Sequence, residues 1–125
     1  MCLLGSMLPI ISDPGTRAVI IRKTTKMLSG SGGLFDAAIN LYSKIDPKMK
    51  IKSRDLTIVF SSGAELQFTY LDKPADRMNL QGREYSRISL DEAQQLDGEN
   101  VFYALSRLRS TRVKYPLQAH ATCNP

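Results

Sequence analysis

The stretch Tyr85-Ser86-Arg87-Ile88-Ser89-Leu90-Asp91-Glu92-Ala93-Gln94-Gln95 decides how this chain is organised. Ile88 and Leu90 point one way on an extended chain, and Arg87 and Ser89 point the other, which predicts a β-strand. Asp91 and Glu92 then fall at the carboxyl end of that strand. In open α/β sheets this end faces the ligand crevice, so the two acids are candidate functional residues.

An apolar strand that ends in Asp-Glu is the Walker B pattern of phosphate-transferring ATPases. In that pattern the Asp holds Mg²⁺, and the neighbouring Glu orients or deprotonates the attacking water. The same residues also suit a strand that is followed by the polar first turn of a helix. The motif alone leaves both interpretations open.

Composition describes an ordinary soluble globular domain. The chain has 125 residues, of which 42% are hydrophobic and 23% charged, and this is enough for one domain with a real core. Its formal charge of +5 is compatible with a polyanionic partner. Cys2 and Cys123 stand at opposite ends, which predicts neither a disulfide framework nor a metal cluster. This cysteine usage leads us to expect a reducing cytoplasm. The apolar run Met1–Ile11 is too short and interrupted to span a bilayer.

Short apolar strands alternate with amphipathic helices along the chain. The predicted elements are a helix body at 1–11, a strand at 18–22, a helix at 34–45, a hairpin of strands 55–60 and 64–70, the acidic strand, a helix at 99–108 and a strand at 117–122. The last helix is expected to present Val101, Phe102, Leu105 and Leu108 to the core, and the basic stretch 48–54 is expected to be a link. This order predicts an α/β fold, a mostly parallel sheet flanked by helices with an inserted β-hairpin.

The glycine-rich segment Lys26–Gly33 is predicted to be a flexible loop. It has no Gly-Lys-Ser/Thr ending, and therefore lacks the lysine and hydroxyl that reach phosphate and Mg²⁺ in a P-loop.

Five short stretches in order carry a resemblance to a known family. They are Arg17-Ala-Val-Ile-Ile-Arg-Lys-Thr24 with Gly32-Gly33-Leu34, Leu80-Gln-Gly-Arg-Glu84, Ile88-Ser-Leu-Asp-Glu-Ala-Gln94, and Ala121-Thr-Cys-Asn-Pro125. The set resembles the ATPase domain of the large terminase subunit, the DNA-packaging motor of tailed bacteriophages. It covers almost the whole chain.

The resemblance implies a P-loop NTPase-like (ASCE) fold, with residues 1–125 as a partial terminase ATPase domain. The family's phosphate-binding loop precedes its first helix, and its nuclease domain follows the ATPase domain; neither is present in this sequence. Without the loop there is no cradle of backbone N–H groups for the phosphates. We therefore expect these residues alone to hydrolyse ATP negligibly.

The resemblance also implies roles for individual residues. Asp91 would coordinate Mg²⁺, and Glu92 would activate the hydrolytic water. Thr122 and Asn124 match the coupling motif, in which a polar side chain at a strand end senses the γ-phosphate. Arg83 is the candidate for an arginine that acts on a neighbouring subunit's nucleotide, and Arg22 would sense the nucleotide from its own strand end.

The implied cofactors are ATP and Mg²⁺, and the implied partners are double-stranded DNA, the portal protein and the small terminase subunit. The intact protein would work as a homo-oligomeric ring in the host cytoplasm, with no membrane association. Two alternatives remain open on the sequence. One is a non-enzymatic basic nucleic-acid-binding module, supported by the net charge and by the arginines near Arg107. The other is a metal-dependent nuclease using Asp91 and Glu92, which needs further acids at the same site.

Overall fold

The computed structural model describes residues 13–23, 33–52, 54, 56–108 and 118–121. Within these residues six strands form one sheet, in the order β2-β3-β4-β1-β5-β6. The strands are Arg17–Arg22 (β1), Lys50–Lys52 (β2), Thr57–Val59 (β3), Glu65–Tyr70 (β4), Arg87–Leu90 (β5) and Gln118–Ala121 (β6). The four strands β4, β1, β5 and β6 run parallel, and β2 and β3 extend the sheet through antiparallel pairings. The predicted α/β fold with a mostly parallel sheet is therefore confirmed.

β1 lies at the centre of the parallel part. Its Ala18, Val19, Ile20 and Ile21 are buried, as expected for a continuously apolar strand that is covered on both faces. The sequence alternates between the two faces at each step, so Ile20 joins one core cluster and Val19 the other. Burial on both sides explains why this strand shows no polar–apolar alternation.

One face of the sheet is covered by α1, residues Leu34–Ile45. Phe35 packs edge-to-face on Phe68 with ring centroids 5.4 Å apart, and Tyr42 does the same on Phe60 at 5.3 Å. Such pairs add about 0.5–1.5 kcal/mol beyond the area they bury. The predicted helix is confirmed, and its aromatic side chains fix it over the face formed by β1, β3 and β4.

The opposite face is covered by α2, residues Gly98–Leu105, and by a 3₁₀ helix, Pro74–Asn79. Ala104 lies in this second core, where its small side chain contributes to the cluster that contains Val19 and Ile88. Phe102, in contrast, is 77% exposed. Leu105 is 37% exposed. The expected apolar face of this helix was therefore wrong at Phe102 and Leu105, and the α-helix ends at Leu105 rather than at Leu108.

The predicted hairpin is confirmed, with Ile58 opposite Leu66. Its second strand, β4, also pairs in parallel with β1, so the hairpin is continuous with the parallel sheet. The basic stretch predicted to be a link contains β2, which pairs with β3 and forms one edge of the described sheet. Lys50, Ile51 and Lys52 are all exposed, which is why no hydrophobic pattern revealed this strand.

The final predicted strand is confirmed as β6, parallel to β5. The predicted helix at 1–11 and most of the glycine-rich segment, residues 24–32, lie outside the described residues. Among the helices that the structure describes, each is too short or too polar to cross a bilayer.

Candidate active site

Three parallel strands end at one edge of the sheet. Ile21 of β1 is in register with Leu90 of β5, and Leu90 is in register with Ala121 of β6. Arg22 follows Ile21 and Asp91 follows Leu90, so both lie at the carboxyl edge. In parallel α/β sheets this edge is where ligands bind.

Arg22 and Asp91 are joined directly across this edge. The Arg22 Nε donates a hydrogen bond to Asp91 Oδ2, and the two groups form an ion pair. The Asp91 backbone N–H also donates to the carbonyl oxygen of Ile21 over 2.9 Å, which extends the β1–β5 ladder by one rung. The Arg22 and Asp91 side chains are 23% and 14% exposed, so the pair is partly shielded yet open to solvent. A charge-assisted hydrogen bond of this kind is worth about 1.5–3 kcal/mol.

Glu92 stands immediately beyond this pair in an unusual backbone conformation. Its φ of 53° and ψ of 52° are left-handed, a region that glycine occupies freely and glutamate occupies at a cost of roughly 1–2 kcal/mol. The next residues form a short 3₁₀ turn, Ala93–Gln95, closed by the Gln95 N–H donating to the Glu92 carbonyl over 2.9 Å. The left-handed residue therefore ends the strand and turns the chain away at the position of the second acid.

The donor set at this edge suits a particular kind of metal binding. Among the described residues, no group of three or more Asp, Glu, His and Cys side chains is placed to hold a metal ion. Mg²⁺ in nucleotide sites typically takes one or two protein carboxylates and completes its shell with waters and substrate phosphates. Asp91 fits that role, whereas a cage made only of protein ligands does not fit the described residues.

Arg83 lies elsewhere on the sheet. Its Nη1 donates to Gln67 Oε1 over 3.1 Å, and the Tyr85 hydroxyl donates to the same oxygen over 2.7 Å. Gln67 is in register with Val19, and Val19 with Ile88, three residues before Asp91. Two strand spacings and three residue rises place the backbones of Gln67 and Asp91 about 14 Å apart. The structure therefore does not bring Arg83 to the Arg22–Asp91 pair of its own chain.

Arg83 also lines a cavity of about 410 Å³ near the amino ends of β1 and β4, together with Arg17, Glu65, Gln67 and Tyr85. Burial raises the pKa of the Tyr85 phenol to about 12. The phenol therefore stays protonated at neutral pH and can donate its hydrogen bond to Gln67. Gln67 was not among the candidate residues, because a glutamine within an alternating strand gives no sequence signal for this role.

The two coupling-motif candidates, Thr122 and Asn124, lie outside the described residues. The described part of β6 ends at Ala121, level with Leu90. The carboxyl end of the described part of β6 therefore lies at the same edge at which Asp91 follows β5.

The fold that carries this edge is similar to that of a known protein. The solved structure of a large terminase from a thermophilic bacteriophage aligns with a TM-score of 0.65 at 18% identity. The alignment covers 88% of this chain and 26% of that one, so this chain spans about a quarter of the length of that terminase. At this identity the match establishes the fold, which is that of the corresponding part of a large terminase.

The sequence gives a more specific result. The family described as "Terminase large subunit, T4likevirus-type, N-terminal" matches residues 6–125. The chain therefore belongs to the large terminase subunit family and corresponds to its N-terminal region. Comparison with curated protein sequences gives no match.

Proposed function

We propose that this chain is part of an ATP-hydrolysing motor that packages double-stranded DNA into phage procapsids, and that Asp91 and Glu92 are its metal-holding and water-activating acids. The observation that carries the proposal is the placement of Asp91 at the carboxyl edge of a parallel sheet, in contact with the arginine that ends the neighbouring strand. Membership in the large terminase family supports the same assignment.

The roles of the chain's own residues follow from this placement. Asp91 offers one carboxylate for Mg²⁺, which would neutralise charge on the transferring phosphate when bound. Glu92 adjoins it at the end of the strand, where a carboxylate can accept a proton from water or orient it. Arg22 supplies a guanidinium at the same edge for a phosphate oxygen. Thr122 and Asn124 are proposed to sense the γ-phosphate from the end of β6.

Arg83 is proposed to act on the nucleotide of a neighbouring subunit. Its partner Gln67 lies about 14 Å from Asp91, which supports action in trans over action in its own chain. This assignment requires a neighbouring subunit. The proposal therefore includes a homo-oligomeric ring on the portal protein, working with the small terminase subunit in the host cytoplasm.

The test uses ATP turnover by two forms of the chain. Residues 1–125 alone should hydrolyse ATP at background rate, because the sequence contains no Gly-Lys-Ser/Thr loop. A chimera with a strand and a Gly-Lys-Thr loop placed ahead of Met1 should hydrolyse ATP in Mg²⁺. Glu92→Gln should lower that rate by about 100-fold or more.

Glu99→Gln is the matched control, because Glu99 is an exposed glutamate of α2 whose side chain makes a 3.5 Å ion pair with Arg77. The control should leave turnover within about twofold of the unaltered chimera, since a surface ion pair contributes little. Hydrolysis by the chimera that is equally insensitive to both substitutions would contradict the proposed role of Glu92.

A second candidate function, a basic nucleic-acid-binding module, is favoured by the exposed edge strand. Lys50 and Lys52 are exposed on β2, and Lys48 and Arg54 flank it. Three strands separate β2 from β5, so this basic edge lies about 19 Å from the strand that leads to Asp91. DNA binding by this edge should weaken steeply as salt rises. Two results together would favour this function over the motor. The chain would bind DNA tightly and lose that affinity in the double variant Lys50→Gln/Lys52→Gln, and the chimera would not hydrolyse ATP.

A further inference from the structure

The contact between Arg22 and Asp91 controls how a metal ion can reach the carboxylate. The guanidinium occupies one oxygen of the side chain that is proposed to hold Mg²⁺. A second cation arriving at this carboxylate must displace the arginine or bind beside it. The two positive charges then repel each other at close range, and partial burial weakens the screening by water.

A phosphate group changes this balance. Guanidinium binds phosphate oxygens through the same paired N–H donors with which it binds carboxylate. Arg22 ends β1, one strand away from Asp91, so an anion at this edge can compete with Asp91 for the Arg22 guanidinium without moving the strand. Once Arg22 turns to the anion, its guanidinium no longer competes with a metal ion for the Asp91 oxygen.

We propose that Arg22 is a latch that makes metal binding at Asp91 conditional on the arrival of a phosphate group. In the ligand-free chain the latch is closed and the metal is held weakly. An oxyanion opens it, so metal and anion bind with positive cooperativity, and each raises the affinity of the other. The inference rests on the proposed function, because it takes Asp91 as the metal ligand.

The experiment measures binding of Mn²⁺ to the full chain without nucleotide, by the electron paramagnetic resonance signal of free Mn²⁺. Arg22→Gln should bind Mn²⁺ about tenfold more tightly than the unaltered chain, because the charge-assisted bond no longer competes. Lys23→Gln removes the same charge from the adjacent residue, which forms no ion pair with the described residues. It should change the affinity by less than about twofold, since the half-buried Lys23 does not occupy the Asp91 carboxylate and water still screens its charge.

A second arm adds sulfate as a tetrahedral oxyanion, against chloride at equal ionic strength. Sulfate should tighten Mn²⁺ binding to the unaltered chain and leave Arg22→Gln unchanged. Arg22→Lys retains the charge but loses the planar fork of N–H donors. Its Mn²⁺ affinity should fall between those of the unaltered chain and Arg22→Gln, so the proposal stays testable if Arg22→Gln does not fold. Equal Mn²⁺ affinity in the unaltered chain, Arg22→Lys and any folded Arg22→Gln would overturn the latch.

The double variant Arg22→Gln/Asp91→Asn separates the latch from the proposed function. The double variant should not show the tighter Mn²⁺ binding of Arg22→Gln. If the tighter binding persists, the metal is held elsewhere, and both the latch and the metal role of Asp91 are overturned. If Mn²⁺ binding follows the latch but the chimera's turnover ignores Glu92, the latch stands and the motor proposal falls. If turnover depends on Glu92 but Arg22→Gln binds Mn²⁺ like the unaltered chain, only the latch falls.

Discussion

The Tyr85 hydroxyl donates to Gln67 Oε1 over 2.7 Å, and this buried bond ties the segment before β5 to the middle of β4. Tyr85→Phe should lower the free energy of unfolding by about 0.5–1.5 kcal/mol, because it removes one of the two hydrogen bonds to a largely buried amide oxygen and leaves the bond from Arg83. Urea unfolding at pH 8 measures this loss. Tyr70→Phe, at a half-buried position with no hydroxyl contact among the described residues, is the control and should change stability by less than about 0.5 kcal/mol.

The same tyrosine predicts a loss of stability at alkaline pH. Burial raises the pKa of Tyr85 from 10.0 to about 12, so the folded state holds the phenolic proton more tightly than the unfolded state does. The stabilising contribution is complete below pH 10 and is lost as the pH rises from 10 towards 12. Burial also raises the pKa of Tyr42, so Tyr85→Phe should reduce the alkaline loss without abolishing it. An identical decrease between about pH 8 and 11 in both proteins would contradict this origin.

Replacing Glu92 should show how much its left-handed backbone conformation lowers the stability of the fold. Glu92→Gly relieves a left-handed residue and should raise the free energy of unfolding by about 0.5–1 kcal/mol relative to Glu92→Ala, which keeps a Cβ in the same conformation. Thermal or urea unfolding of the two variants provides the comparison. Equal stability would show that the left-handed conformation at this position carries no measurable strain.

Asp46 predicts a dependence on acidic pH. Its Oδ2 accepts from the Ser61 N–H over 2.8 Å, joining the end of α1 to the hairpin turn, and this bond holds the pKa of the carboxyl below its usual value of 3.8. Its contribution to stability is present above about pH 4 and is lost as the pH falls through the lowered pKa. Asp46→Ala should therefore cost about 1 kcal/mol at pH 7 and progressively less at lower pH. Asp72→Ala, an exposed aspartate whose carboxylate forms no hydrogen bond or ion pair with the described residues, should show no such trend.

The orientation of α2 predicts opposite effects at two nearby positions. Phe102 is largely exposed, so Phe102→Ser should change the free energy of unfolding by less than about 0.5 kcal/mol. Ala104 is fully buried, and Ala104→Leu should cost about 1–3 kcal/mol because added methylenes overpack the core. Chemical denaturation of both variants tests the helix orientation. A larger cost at Phe102 would mean that this side chain packs against the domain.

Local patterns in the sequence were sufficient for the elements that carry apolar alternation. Leu66 and Phe68 marked β4, and apolar spacing marked α1 as a helix. That spacing identified the buried face of α1 only in part, because Phe35 is buried and Ile45 is 51% exposed. β2 was missed because its three residues are exposed and it exists only by pairing with β3. The face of α2 was misread because packing favours small Ala104 and buried Asn100, whose Oδ1 accepts from Arg77 Nε over 2.6 Å. Tertiary contacts of this kind override helical periodicity.

The candidate site was only partly predictable for a related reason. The acids after β5 and the arginine that ends β1 were each visible as strand-end residues. The contact between Arg22 and Asp91 spans 69 residues and depends on which strands are neighbours and in what register, information that no local pattern contains. For the same reason, the hydrogen bonds of Gln67 with Arg83 and Tyr85 could not be predicted from the sequence.

The position of β1 between two later strands constrains how the domain is made on the ribosome. β1 emerges first among the described strands, yet its neighbours begin at Glu65 and Arg87. A nascent chain therefore presents the apolar segment Ala18–Ile21 with open edges until most of the domain has been synthesised. During that interval its unpaired edges favour aggregation and recognition by a chaperone.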